Sequence, residues 1–205
     1  LIDQVLNTLL TLPGIIIGLS FHEAAHAFAS DRLGDPTPRR QGRLTINPMA
    51  HFDPMGFIAL LIFRFGWGRP VEINPSYYKN RRRDEFIVGI AGITMNLIIA
   101  IVFSFITKGV MLLYYAMGAP GILELLYEIC SYVVIINLCL MIFNLIPCPP
   151  LDGFGLVTQI FRLDRYSWYW KVMQYGSYIL LFLIIFDVTD LILQPLLNIF
   201  INILL

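Results

Sequence analysis

The pentad His22-Glu23-Ala24-Ala25-His26 lies inside an apolar, small-residue-rich segment that runs from Leu12 to Ala29. A membrane helix is the form in which such a segment satisfies its own backbone hydrogen bonds. Ionisable side chains are costly at that depth unless they pair or bind something, so these three residues restrict how the rest of the chain can pack. Two histidines four apart fall on one helix face and can share one metal ion, with zinc the expected one. The glutamate between them is placed to handle the proton of a water held on that ion. Two histidines do not close a catalytic zinc site, which takes three protein ligands and keeps one position open. A third ligand, His, Asp or Glu, is therefore required at the same depth.

Composition agrees with a membrane setting. Of the 205 residues 58% are hydrophobic and 14% charged, where a soluble domain carries roughly 25% charged residues. Mean hydropathy is +0.73. The chain reads as a single membrane-embedded unit over residues 1–205 and an all-α polytopic membrane protein. No basic patch with interleaved aromatics suggests a nucleic-acid partner; the expected surroundings are the lipid bilayer. Cys130, Cys139 and Cys148 are odd in number and two sit in an apolar helix, which speaks against a disulfide framework. Cys148, close before Asp152, is a lesser candidate ligand. The first residue is not methionine, and no signal-peptide cleavage pattern follows it.

Four spans are expected, over Gln4–Ser30, Glu85–Ile106, Ile122–Ile146 and from Trp168 to Phe186. In the first, Gly14 and Gly18 have the small-xxx-small spacing that lets a neighbouring helix approach closely. Trp168-Tyr169-Trp170 forms an interfacial belt. A break is expected at Asp187 and Asp190, which read as a helix end at the outer interface. Beyond it, the apolar stretch Leu191–Leu205, interrupted by Pro195, is either a fifth span or an interfacial tail.

The stretch from Asp31 to Arg83 differs, with six prolines: Pro36, Pro38, Pro48, Pro54, Pro70 and Pro75. Leu44-Thr45-Ile46-Asn47-Pro48 and Val71-Glu72-Ile73-Asn74-Pro75 echo each other, alternate like strands and stop at proline. Phe57–Phe65 between them is apolar but too short to span. A re-entrant or interfacial segment with short β-strands is expected. His51 and Asp53 are a rival ligand pair, or else a loop-anchoring histidine and an Asx turn beside Pro54.

Basic residues orient the chain. With four spans, the loops 31–84 and 147–171 hold 13 of the 14 Lys and Arg residues, and the loop between the second and third spans holds only Lys108. The rich side is expected to be cytoplasmic. His22 lies toward that end of the first span. The Pro-rich break Asn144-Leu145-Ile146-Pro147-Cys148-Pro149-Pro150-Leu151-Asp152-Gly153 ends the third span on the same side. Asp152 is thus the candidate third ligand.

These motifs together resemble those of the site-2 protease family of intramembrane zinc metalloproteases. The HExxH pentad matches His22–His26, the NxxPxPPLDG motif matches Asn144–Gly153, and a GxxxN element matches Gly92-Ile93-Thr94-Met95-Asn96. Gly42–Pro48 and His51–Gly56 are similar to segments of compact bacterial members, and the resemblance covers residues 14 to 160. Ala91-Gly92-Ile93 departs from the Ala-Gly-Pro of many members, which touches local helix geometry and not the ligands. Neither a PDZ-like insertion nor a nucleotide-sensing domain is expected. The resemblance implies one Zn²⁺ per chain on His22, His26 and Asp152, with Glu23 as general base and then general acid. It implies peptide hydrolysis in or near transmembrane segments of membrane-protein substrates, in a bacterial cytoplasmic membrane with the active site toward the cytoplasm. Asn144 and Asn96 are candidates to hydrogen-bond the substrate backbone or the oxyanion, or else glue between helices. The alternative from another class is a divalent-metal transporter, which would show further ligands along a path through the bilayer.

A helical substrate hides its peptide carbonyls in i to i−4 bonds and must be locally unwound before hydrolysis. The freed backbone groups then need partners. A strand edge supplies them for any sequence. Leu44, Thr45, Ile46, Asn47 and Val71, Glu72, Ile73, Asn74 are the strand-edge candidates.

Overall fold

Helix α1 runs from Ile2 to Arg32 and carries the pentad near its C-terminal end. The structure, a computed structural model, describes residues 2–63 and 66–205, with side chains for all of these except 2–7 and 61–63. Arg64 and Phe65 lie outside the described residues. After α1 come the short helices α2 (Thr37–Arg40) and α3 (Pro48–His51), then α4 (Pro54–Phe63). The long helices α5 (Arg81–Ala116) and α6 (Gly121–Leu145) follow. Helices α7 (Asp152–Phe161), α8 (Ser167–Ile185) and α9 (Asp190–Leu204) complete the chain.

Local chemistry sets the ends of the two central helices. Asn80 caps α5 by accepting the Arg83 amide at 3.3 Å, and buried Asp84 returns the favour by accepting the Asn80 amide at 3.0 Å. Helix α5 continues well past Ile106, because nothing from Thr107 to Ala116 breaks it; Gly118, at φ +74°, turns the chain just beyond. Helix α6 stops where Pro147 forces Ile146 into an extended conformation.

Helices α1, α5 and α6 pack on one another and form the centre of the molecule. Their apolar core includes Ile93, Ala100, Val134, Leu138 and Ile142. The spacing of Gly14 and Gly18 serves the α1–α6 contact. A Cβ on Gly14 would lie 3.1 Å from the Tyr132 carbonyl, and one on Gly18 would lie 2.6 Å from the Leu140 side chain. The three helices are each long and apolar enough to cross a membrane. Helices α8 and α9 meet at 71° and are long and apolar enough to cross a membrane only if the bent pair counts as one span. The break falls where the two aspartates place it, with Asp187 at φ +55° and Asp190 opening α9. Helix α9 has 15 residues, roughly 22 Å at 1.5 Å per residue, short of the roughly 30 Å of a hydrocarbon core. It folds back on α5 and α6, burying Leu197 in their core and accepting a hydrogen bond from Ser104 at the Leu204 carbonyl.

The echoing segments Leu44–Asn47 and Val71–Asn74 are not strands, and no strand occurs among the described residues. Their likeness has another cause. Asn47 and Asn74 each accept the amide of the residue two further on, Met49 and Ser76, at 3.1 Å. Each Asn-Pro pair therefore opens a short helix, α3 in one case and the 3₁₀ turn Pro75–Tyr77 in the other. The apolar run after Pro54 forms α4, and the chain then returns so closely that a Cβ on Gly56 would sit 2.0 Å from the Trp67 carbonyl.

Replacing Gly14 by leucine should push α1 off α6. We expect a loss of about 1–3 kcal/mol, as for other overpacked sites, read as a lower unfolding midpoint in detergent. An unchanged midpoint would contradict this packing.

Candidate metal centre

His22 and His26 point from α1 into the angle between α5 and α7. Each imidazole is oriented through Nδ1 by a group on α5. His26 Nδ1 lies 2.7 Å from the Val88 carbonyl oxygen, which can only accept, so Nδ1 carries the proton. His22 Nδ1 lies 2.6 Å from Asn96 Oδ1. The Asn96 amide nitrogen donates to the Gly18 carbonyl at 3.2 Å and to Asn137 Oδ1 at 3.0 Å, which leaves Oδ1 as the acceptor facing His22. Asn137 is fixed in turn, because its amide nitrogen donates to the Val133 carbonyl at 2.9 Å. Both histidines therefore hold their protons on Nδ1 and present bare Nε2 lone pairs.

Those lone pairs converge on a carboxylate. His22 Nε2 and His26 Nε2 are 3.0 Å apart, and Asp152 Oδ2 lies 3.1 Å from the first and 3.2 Å from the second. Asp152 Oδ2 is buried with no donor of its own. Three acceptors facing one another repel unless a cation lies among them. A tetrahedral zinc site with arms of about 2.0–2.1 Å has ligand separations of about 3.3 Å, close to this triangle. Donor types, tautomers and spacing thus fit a divalent metal ion. Among the described residues this is the one group of three His, Cys, Asp or Glu side chains that could hold one.

Two glycines permit the arrangement. A Cβ on Gly92 would lie 2.5 Å from His26 Nε2 and 2.7 Å from His22 Nε2, so no other residue leaves room for the rings against α5. A Cβ on Gly153 would lie 2.4 Å from the Leu145 carbonyl, so the return from α6 into α7 needs glycine directly after Asp152.

Glu23 lies half-buried beside the triangle, and its Oε2 accepts the Val71 amide at 2.8 Å. It borders a cavity of about 450 Å³, together with both histidines, Asp152, Val71 and Ile73. Asn144 lines the same cavity, with its amide nitrogen bonded to the Leu140 carbonyl at 3.0 Å. Asn96 does not reach it: at 0% exposure it sits behind His22. Of the strand-edge candidates, Val71 and Ile73 border the cavity, Glu72 accepts from Gln41, and the Asn74 amide bonds to Asp35. Leu44, Thr45, Ile46 and Asn47 lie away from it, and Ile46 borders a separate apolar groove beside Phe21 and Phe28. The rival pair is not at the site either. His51 Nε2 donates to the Thr45 carbonyl at 2.8 Å, and Asp53 caps α4 through the Met55 and Gly56 amides at 2.8 and 2.9 Å. Cys148 is buried and bonds to the neighbouring Pro149 carbonyl.

The model for Peptidase family M50 matches residues 117–186, which include α6 and Asp152. "Putative zinc metalloprotease YwhC" of Bacillus subtilis (strain 168) is 34% identical over 187 residues, covering 90% of this chain and 84% of that protein. The chain belongs to peptidase family M50, the site-2 proteases. Relatives named "Putative zinc metalloprotease Rip2" are more distant. The Mycolicibacterium smegmatis protein is 27% identical over 86% of this chain and 67% of its own length. The Mycobacterium tuberculosis protein (strain H37Rv) is 29% identical over 75% and 58%. No solved structure matches this M50 chain significantly.

Orientation of His22 by Asn96 should matter for metal affinity. In the Asn96→Leu variant, affinity for a divalent ion should fall about 10–100-fold, the usual effect of losing such an outer partner. Competition with a chromogenic chelator measures it, and wild-type affinity would show that Asn96 does not set the tautomer.

Proposed function

We propose that this chain is a zinc metallopeptidase that hydrolyses peptide bonds in or near transmembrane segments of membrane proteins. The observation that carries the reading is the convergence of two tautomer-fixed Nε2 lone pairs and a carboxylate beside Glu23, within helices apolar enough to span a bilayer. His22, His26 and Asp152 would hold one zinc ion. Bound there, zinc supplies Lewis acidity toward a peptide carbonyl and lowers the pKa of water toward about 7.

The rest of the reaction falls to the chain's own groups. Glu23 takes a proton from the attacking water and returns it to the leaving amine. The cavity beside it gives an unwound peptide segment access to the carboxylate. Asn144, on the cavity wall, can trade its bond to the Leu140 carbonyl for one to the substrate backbone or oxyanion. Asn96, buried behind His22, serves orientation. A metal transporter would need further ligand groups along a path across the bilayer. The described residues hold a single such group, which favours hydrolysis.

The division of basic residues supports an orientation with the C-terminal end of α1 and the N-terminal end of α5 toward the cytoplasm. The bacterial sources of its relatives favour a bacterial cytoplasmic membrane, with the site near its inner face. Single cysteines replacing Arg82 and Arg165 should label from the cytoplasm, and one replacing Lys108 from outside. External labelling at position 82 would refute the orientation.

The roles of the site residues are separable. Glu23→Gln should lower cleavage by about 10²–10⁴-fold and retain zinc, because Glu23 is not a ligand. Asp152→Ala should lose both activity and most of the metal. Cleavage is read by comparing membrane fragments from cells with the wild-type and Glu23→Gln proteins, and zinc by elemental analysis. Full zinc in Asp152→Ala would overturn the ligand set.

A further inference from the structure

Arg43 is a guanidinium at only 4% exposure, bonded to main-chain oxygens rather than to a carboxylate. Its Nη1 donates to the Ala50 carbonyl, and its Nη2 donates to the Arg69 carbonyl and, at 2.9 Å, to the Pro70 carbonyl. Two further bonds knit the same place together. The Arg69 amide donates to the His51 carbonyl at 2.9 Å, and His51 Nε2 donates to the Thr45 carbonyl at 2.8 Å. The side chain thus ties the turn 43–51 to the chain just before Val71.

The next peptide reaches the site. The Val71 amide donates to Glu23 Oε2 at 2.8 Å. Three residues on, the Asn74 amide donates to Asp35 Oδ2 at 2.7 Å. Asp35 has 0% exposure and is itself held by the Ser30 hydroxyl and the Thr37 amide. Burial opposes its ionisation, but the Asn74 amide and the Thr37 and Ser30 groups outweigh that and hold its carboxyl below the ordinary aspartate range. Residues 70–74 therefore form a strap pinned at both ends, with the Glu23 contact between the pins.

We propose that Arg43 is a positioning residue for Glu23: by gripping the Arg69 and Pro70 carbonyls it fixes the Val71 N–H against Oε2 and so orients the carboxylate at the metal site. One oxygen is then occupied by the strap, and Oε1 is the oxygen that exchanges protons with water and the leaving amine. This rests on the reading of Glu23 as the general base. A lysine at position 43 keeps the charge and can reach one carbonyl, but it lacks the fork that holds two segments at once.

The test uses the full chain in detergent and two kinds of readout. Hydrogen exchange probes the strap without reference to activity. The Val71 amide should be protected in the wild type. It should exchange at least 10-fold faster in Arg43→Gln and in Glu23→Ala, which removes the acceptor, with the Asn74 amide little changed. Turnover is then measured on fluorescein-labelled casein and on a polyleucine-alanine transmembrane peptide, with Glu23→Gln as the blank. Arg43→Gln should lower kcat about 10–100-fold with KM within a factor of about 3 and zinc content full, and Arg43→Lys should recover part of the loss. Val71→Pro, which removes the donor, should match Arg43→Gln, and the double variant should be no worse than either. Several results overturn the proposal: Val71 exchange that is unprotected or indifferent to Arg43, loss of zinc together with activity, additive effects in the double variant, or faster turnover, which would make the contact a restraint. Absence of wild-type cleavage of both probes would count against the proteolytic reading on those probes, while the exchange arm would still decide whether Arg43 holds Val71 on Glu23.

Discussion

Two hydrogen bonds at imidazole Nδ1 atoms set the chemistry of the whole molecule: His26 to the Val88 carbonyl and His22 to Asn96. Each puts its proton on the side away from Asp152, so three acceptor atoms meet with nothing of the protein's own between them. In water such a cluster would be relieved by solvent. Inside packed helices it is a standing demand for a cation, and that demand is the strongest reason to read the site as metallic. The bonds themselves depend on packing. Asn96 is aligned by the Gly18 carbonyl and by Asn137, so α1, α5 and α6 all contribute to one imidazole.

Glycine spacing makes that packing possible. Gly14 and Gly18 bring α1 against α6, and Gly92 lets α5 come under the rings. The first effect was legible from the sequence, because small residues four apart on an apolar helix carry a known meaning. The second was visible only as a GxxxN element of a resembled family. Nothing in Gly92 or Asn96 alone says that one makes room for the imidazoles and the other orients one of them. Asp152 was legible for a different reason. Proline ends α6 wherever it lies, and the end of the third span shares the depth of the end of the first by topology alone. Position along the membrane normal follows from counting spans, whereas hydrogen-bond direction needs coordinates.

The loop between α1 and α5 was the least legible part. Alternation in Leu44–Asn47 and Val71–Asn74 suggests strands, but alternation counts only when a partner strand lies alongside. Here each segment instead ends in an asparagine that captures a local amide and starts a turn or helix. The Asn-Pro pair carries both meanings, a strand stop or a helix start, and tertiary contacts choose between them. Those contacts come from Arg43 and Asp35, polar residues in a loop with no periodicity to announce them. Asp53 followed by Pro54 was legible as a turn, and it caps α4 in that way.

A loop without a sheet must still satisfy its own backbone groups. In an apolar setting, unpaired backbone groups are expensive whether they belong to substrate or enzyme. Residues 70–74 meet part of that requirement by giving two amides to carboxylates, Val71 to Glu23 and Asn74 to Asp35. A strand paired on both sides would have spent its amides on its neighbours and left Glu23 without a donor. An irregular strap can instead send successive amides to different elements. Irregular backbone is thus a consequence of tying a half-buried carboxylate to a fixed point, beside a cavity of about 450 Å³.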